Sequence, residues 1–251
     1  MKIVVGIPAR MGSSRFPGKP LCDILGKTMI EHVYQRSKLY LKAADVFVAT
    51  CDKEIKNAVE NFGGQALMTP KEISRPGLRV AEAVKQLALD DNDIVVVVQG
   101  DEPLVHPEMI NLAIAPLLND TSVFCVNLAK EMTAEEWQDP NEIKVVTDLN
   151  MNALFMSRSP IPSNTRNRIG TRLKQVCIFP FRKKDLLAFQ NMAETPYEMA
   201  ESIEMLRAIE HGLKVRIVKT DFLTKSVDNE NDRQAVEELM KNDDVYKKYG
   251  F

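Results

Sequence analysis

Ile3-Val4-Val5-Gly6-Ile7-Pro8-Ala9-Arg10-Met11-Gly12-Ser13-Ser14-Arg15-Phe16-Pro17-Gly18-Lys19-Pro20 is the stretch that decides the fold. The run from Ile3 to Ile7 is apolar and predicts a buried first strand. An amphipathic segment from about Thr28 to Leu41 predicts a helix after it. A loop of small residues and three cations therefore sits at the end of the first strand, where open α/β sheets bind ligands. Gly12, Ser13 and Ser14 permit a close approach of the backbone, whose N–H groups can cradle an anion. Arg10, Arg15 and Lys19 add positive charge suited to a polyphosphate. A solvated basic loop is the plainer reading, but the interleaving of three cations with Gly, Ser and Pro after a first strand favours a binding loop. It is not a P-loop, because Lys19 is followed by Pro20 with no hydroxyl for a metal. It also lacks the G-x-G-x-x-G of dinucleotide sites.

Working outward, strand-like and helix-like segments alternate. Asp45–Ala49 predicts a strand, Lys53–Phe62 a helix stopped by Gly63-Gly64, and Gln65–Met68 a short strand. A helix from about Arg79 to Leu89 leads to Ile94–Val98, a β-branched run apolar on both faces, as expected of a central strand. This β-α-β-α-β-α-β pattern predicts an α/β, Rossmann-like domain with a mostly parallel sheet. Further on, helix Pro107–Leu118 and strand Ser122–Leu128 extend it, and Ile143–Thr147 with Asn152–Met156 reads as a strand pair. After a polar loop from Ser163 to Arg172 come strand Gln175–Phe181, helices Arg182–Gln190 and Ala200–Gly212, strand Lys214–Val218 and a final helix Asp232–Met240. One domain over residues 1–251, with a small antiparallel element inserted at about 130–185, accounts for the pattern.

Acids and bases nearly cancel, 35 against 33. That balance argues against nucleic acid or a membrane surface as the main partner. No run resembles a signal peptide or approaches membrane-spanning length. Cys22, Cys51, Cys125 and Cys177 show neither zinc spacing nor a disulfide framework, so reduced thiols and a cytoplasmic location are expected.

Two carboxylates stand out. Asp101, in Gln99-Gly100-Asp101-Glu102-Pro103, follows the most hydrophobic strand and so lies in the ligand crevice. Magnesium favours oxygen ligands there, shared with water and phosphates. A turn or helix cap is the alternative role. Asp228, in Val227-Asp228-Asn229-Glu230, either returns to the same crevice or caps the final helix.

The first loop and the Gln-Gly-Asp-Glu-Pro motif resemble those of the 3-deoxy-manno-octulosonate (Kdo) cytidylyltransferases, and the resemblance runs on through Gly26-Lys27, Val48-Ala49-Thr50, Asn141 with Lys144-Val145-Val146, Phe155–Pro162 and Val227-Asp228. It implies a nucleotidyltransferase that joins CMP from CTP to the anomeric hydroxyl of Kdo or a related acidic sugar, releasing pyrophosphate. Arg10, Lys19 and Asp101 take catalytic roles in that reading, with Mg2+ on Asp101 and Asp228. Pro8, Ala9, Arg10, Ser13, Arg15, Lys19, Arg79, Gln99, Arg158, Gln175 and Glu204 bind substrate. Arg158 either pairs with the sugar carboxylate or is structural. The resemblance also implies a homodimer formed through the inserted element.

Three segments depart from the family pattern. Arg75-Pro76-Gly77-Leu78-Arg79 stands where Ser-Gly-Thr-(Asp/Glu)-Arg is usual. Gln175-Val176-Cys177-Ile178-Phe179 lacks a histidine, a glycine and a tyrosine hydroxyl, and Glu204-Met205 lacks an amide. Loss of polar partners changes what a sugar pocket selects. The acceptor is therefore Kdo, with compensating contacts, or a modified or different acid such as a phosphonate-type molecule. A nucleotide-binding regulator without turnover is the alternative outside the enzyme class.

Overall fold

The computed structural model describes residues 1–13, 16–163, 166 and 170–250. Strand β1 (Ile3–Ala9) is followed by the basic loop and a short hairpin of β2 (Asp23–Ile24) and β3 (Lys27–Thr28). Helix α1 (Met29–Lys38) then begins at Thr28, whose side chain accepts from the Glu31 N–H. Strand β4 (Asp45–Thr50), α2 (Lys53–Asn61), β5 (Gln65–Met68), α3 (Pro76–Ala83), β6 (Ile94–Val98) and α4 (Pro107–Asn119) complete the alternating half. The second half runs β7 (Cys125–Glu131), α5 (Ala134–Gln138), β8 (Lys144–Thr147), β9 (Ala153–Ser157), β10 (Leu173–Val176), β11 (Ile178–Arg182) and α6 (Lys183–Gln190). It ends with α7 (Pro196–Glu201), α8 (Met205–Glu210), β12 (Val215–Lys219) and α9 (Glu230–Met240).

One sheet holds the strands in the order β5-β4-β1-β6-β11-β7-β10-β8-β9, with β12 also pairing with β7. The alternating pattern of β1 and β6 divides two cores. Val5, Ile7, Val96 and Val98 face one layer with α1, α2 and α4, while Val4, Val95 and Val97 face the other with α3, α6 and α8. Gly6 is required at its place in β1, because a Cβ there lies 2.5 Å from Val80 and 2.8 Å from Phe47. Among the described residues, no helix is long and apolar enough to cross a membrane.

A mostly parallel sheet was expected, and the structure corrects this to a mixed one. Strands β5, β4, β1 and β6 are parallel neighbours. Beyond β6 the partners turn antiparallel: β11 lies against β6 and β7, β10 against β7 and β8, and β8 against β9. Among the described residues, only β12 restores a parallel pairing there, with β7. A run that is apolar on both faces marks a central strand but carries no sign of direction, and Ile178-Phe179-Pro180-Phe181 in β11 is such a run.

Several boundaries also shift. The helix expected from Arg79 to Leu89 begins at Pro76 and leaves α geometry at Ala83. The helix expected from Ala200 to Gly212 is two helices, α7 and α8, parted at Ser202 with φ 54°. Strand Ser122–Leu128 moves to Cys125–Glu131, and the expected strand Gln175–Phe181 is broken at Cys177. Half of the polar loop from 163 to 172 lies outside the described residues.

The C-terminal segment is held on α1 by a buried polar cluster. His32 bonds to the Ile24 carbonyl through Nε2 (2.7 Å) and to the Tyr249 hydroxyl through Nδ1 (2.8 Å). Arg36 donates to Tyr249 Oη at 2.9 Å and pairs with Asp243. Burial, aided by Arg36 and against the Ile24 bond, pushes the His32 pKa down to about 4. The folded value lies below the unfolded one, so stability is complete above about pH 6.5 and falls as pH drops toward 4. Between pH 7 and pH 5 the contribution lost is about 2 kcal/mol. Urea unfolding at the two pH values checks this, and His32→Gln is expected to flatten that part of the profile.

Candidate active site

In the parallel half, the chain leaves β1 toward β4 on one side and returns to β6 on the other. The crevice beyond the carboxyl ends of β1 and β6 is therefore the ligand position of such a sheet. A cleft of about 460 Å³ opens there. The loop after β6 reaches the end of β1 because Gly100 has no side chain; a Cβ would stand 2.7 Å from the Pro8 carbonyl oxygen.

The first loop is braced from below. Asp52, just past β4, accepts from the Met11 N–H at 2.7 Å, and the Ser13 hydroxyl accepts from the Phe16 N–H at 3.2 Å. Gly18 adopts φ 72°, which glycine tolerates, and starts the short 3-10 turn that carries Lys19. Arg10 is exposed on the cleft wall. Arg15 and Ser14 lie outside the described residues.

Lys19 joins three distant segments. Its Nζ donates to Asp101 Oδ2 at 2.8 Å, to the Val227 carbonyl at 2.9 Å and to Asp228 Oδ1 at 3.2 Å. Burial opposes the charge, but Asp101 and then Asp228 outweigh it and hold the ammonium pKa above its ordinary value. The Val227 N–H donates to the Asp101 carbonyl at 3.0 Å, and the Ser226 hydroxyl donates to Glu102 at 2.6 Å. Glu102 is buried, and desolvation, with Asp101 adding to it, lifts its pKa to about 8. Asp228 thus returns to the crevice, and the cap of α9 is the next residue, Asn229, whose side chain accepts from the Asp232 N–H.

These carboxylates suit a hard divalent cation. Two oxygens of opposite segments converge on one point, in a cleft open to water and to phosphate oxygens. No group of three His, Cys, Asp or Glu side chains disposed to hold a metal occurs among the described residues. Asp101 and Asp228 are the pair that would hold one, with the remaining positions left to nucleotide and water.

Arg158, Gln175, Arg79, Glu204 and Gln99 line the same cleft. Pro8, Ala9, Arg10, Ser13, Lys19, Asp101 and Asp228 line it too, so every expected site residue that is described borders the same cleft. Their polar groups differ in engagement. Arg79 is 2% exposed, and its guanidinium donates to Thr69 Oγ1 at 2.6 Å and to the Pro70 and Ile73 carbonyls. It braces the loop before α3 rather than presenting a charge to the cleft. Glu204 accepts from the Gly77 and Leu78 N–H groups at 3.0 and 3.2 Å, at the start of α3. Burial raises its pKa to about 7 against those two bonds. Arg158 Nε donates to the Glu201 carbonyl at 2.8 Å, and Gln175 Nε2 to Asn127 Oδ1 at 2.6 Å.

Sequence reasoning missed several lining groups. Ser226, Ser202 and Ser74 carry no motif, although Ser226 lies two residues before Asp228. Ile143, Cys177, Phe179 and Met205 form an apolar wall, of which the sequence showed only the missing polar partners. Glu198 was invisible as well. It is fully buried and takes Arg207 Nε and Nη2 at 2.7 Å each, with Arg75 Nε at 3.4 Å.

Known proteins agree with this architecture. A family model described as cytidylyltransferase matches residues 4–217. The chain is 42% identical to a 3-deoxy-manno-octulosonate cytidylyltransferase of Geobacter metallireducens, over 96% of this chain and 98% of that one. It is 38% identical to an 8-amino-3,8-dideoxy-manno-octulosonate cytidylyltransferase of Shewanella halifaxensis, over 94% and 98%. The solved structure of a CMP:2-keto-3-deoxy-manno-octonic acid synthetase complexed with CTP superposes with a TM-score of 0.88 at 36% identity, covering 96% of this chain and 99% of that one. The chain therefore belongs to the cytidylyltransferase family, as a nucleotidyltransferase of the CMP-Kdo synthetase kind.

Proposed function

We propose that this chain transfers CMP from CTP to the anomeric hydroxyl of Kdo or a close acidic relative, releasing pyrophosphate. The observation that carries the reading is the meeting of Lys19, Asp101 and Asp228 at the end of β1 and β6, beside exposed Arg10. In this reading Arg10, Arg15 and Lys19 hold the triphosphate and take up the negative charge that develops on the leaving pyrophosphate. Asp101 and Asp228 hold Mg2+, which supplies charge neutralisation at the α-phosphate and a lower pKa for the attacking hydroxyl. Pro8, Ala9, Ser13 and Gln99 shape the nucleotide side, and Arg158 faces the acceptor carboxylate. No covalent enzyme intermediate is required; positioning and charge carry the reaction.

The contacts of Arg79 and Glu204 narrow the set of groups available to substrate: both act through the loop at the start of α3, as positioning residues. The apolar wall of Ile143, Cys177, Phe179 and Met205 favours a second reading in which the acceptor is a modified 3-deoxy acid with fewer hydroxyls. All four cysteines are free thiols, which supports a reducing, cytoplasmic setting. Exposed Leu149, between β8 and β9, and exposed Leu154 on β9 support a homodimer formed through the segment from about 130 to 185 within one domain.

Pyrophosphate release is the test, with magnesium, each nucleoside triphosphate in turn, and a panel of Kdo, 8-amino-3,8-dideoxy-Kdo and shorter acids. Release with CTP and Kdo is the expected result. Release with CTP only alongside another acid would transfer the function to that acceptor, and silence with every acid would overturn the reading.

A further inference from the structure

We propose that Lys19 is an internal counter-ion for the carboxylate pair, so that a divalent cation gains Asp101 and Asp228 only as a nucleotide's phosphates draw the lysine away. This rests on the reading above that the two aspartates hold the metal. One ammonium answers to both carboxylates: Nζ donates to Asp101 Oδ2 at 2.8 Å, to the Val227 carbonyl at 2.9 Å and to Asp228 Oδ1 at 3.2 Å. Those three bonds use all the protons an ammonium has. Magnesium takes its oxygens at about 2.0–2.1 Å. A cation that close to both carboxylates enters the gap that Nζ bridges, where two positive charges repel. Lysine and metal therefore compete for the same oxygens.

The lysine also has a second partner within reach. Its flexible stem lines the same cleft as exposed Arg10 and as Gly12, around which a Cβ would meet nothing within 4 Å. A triphosphate entering there offers Nζ new oxygens, while its accompanying cation replaces Nζ between the aspartates. Each negative group keeps a positive partner throughout that exchange. Without a nucleotide, a metal ion must strip Lys19 from two partly buried carboxylates and leave the ammonium with nothing in return; the side chains are 13%, 25% and 30% exposed. The two carboxylate segments stay joined when the lysine leaves, through the Val227 N–H to the Asp101 carbonyl and through Ser226 to Glu102. Metal and nucleotide therefore bind as a coupled pair.

Mn2+ binding to the full nucleotide-free chain, followed by electron paramagnetic resonance, tests this. Lys19→Met is expected to bind Mn2+ at least tenfold more tightly than the unaltered chain. Lys19→Arg, which keeps a cation between the carboxylates, is expected to bind about as weakly as the unaltered chain. Adding Asp101→Asn to Lys19→Met should erase the gain. Equal or weaker binding by Lys19→Met, or a gain that survives Asp101→Asn, overturns the proposal. Circular dichroism checks folding, and Lys19→Gln replaces Lys19→Met if the latter does not fold. A separate arm addresses the underlying reading: if Asp101→Asn leaves Mn2+ binding to the CTP-saturated chain unchanged, the metal assignment fails. If that binding is lost while Lys19→Met gains nothing, only the counter-ion role fails.

Discussion

Asp101→Asn is expected to lower turnover by about a thousandfold, the scale on which removal of one preorganised charge group slows an enzyme. The substitution keeps the shape of the side chain and an oxygen able to accept from Lys19. It removes a negative charge from the point where the proposed reading puts the metal and the α-phosphate. Folding should survive, because the loop is fixed by other contacts. The Asp101 carbonyl still accepts from the Val227 N–H, Ser226 still bonds to Glu102, and Gly100 still packs on Pro8. Pyrophosphate release and thermal melting of the same preparation check the two halves of the expectation. A rate within tenfold of the unaltered chain would remove Asp101 from the chemistry; a collapsed melting curve would make its role structural.

The largest stability effect is expected at Glu198. This carboxylate is fully buried and receives both Nε and Nη2 of Arg207, itself 1% exposed. Arg207 also donates to the Met192 carbonyl at 3.2 Å and lies over the Phe189 ring at 5.2 Å. Replacing Glu198 by alanine leaves that guanidinium buried with no carboxylate in bidentate contact. Breaking such a pair from one side costs roughly 3–5 kcal/mol. For a chain of this size that corresponds to a fall in Tm of about 10 °C. Arg75, which precedes α3 and bonds to Ser202 Oγ at 3.0 Å, also loses a partner, so the cleft wall should loosen along with the core. Urea denaturation measures the cost. A change below about 1 kcal/mol would mean that the pair contributes little beyond its own desolvation.

Much of the site was legible because its signals are local. Gly18, Lys19 and Pro20 specify a turn at the end of an apolar strand, and Gly100-Asp101 specifies a close-packed loop at the end of another. Either segment suggested a ligand chemistry from a few residues, beside the plainer readings of a solvated loop and a cap. Asp228 stood differently, since its local setting before α9 suited a cap as well as a metal. The bond from Lys19, across a separation of 209 residues, placed it in the crevice, and Asn229 took the cap. Arg79 and Glu204 show the reverse case. The family resemblance implied contact with substrate, and in the structure their charges turn inward to Ile73, Thr69, Gly77 and Leu78.

Alone, the sequence determined the alternating half of the sheet, the loop that carries Arg10 and Lys19, and the family to which these motifs point. Hydrophobic period, glycine and proline act over a few residues, and those features depend on little else. Only the tertiary structure decided that the sheet is mixed, that Lys19 bridges both aspartates, and that Glu198 holds Arg207 in the core. Strand direction and ion pairing depend on which distant segments become neighbours, and the energy that selects them arises only when burial removes water from all of them together.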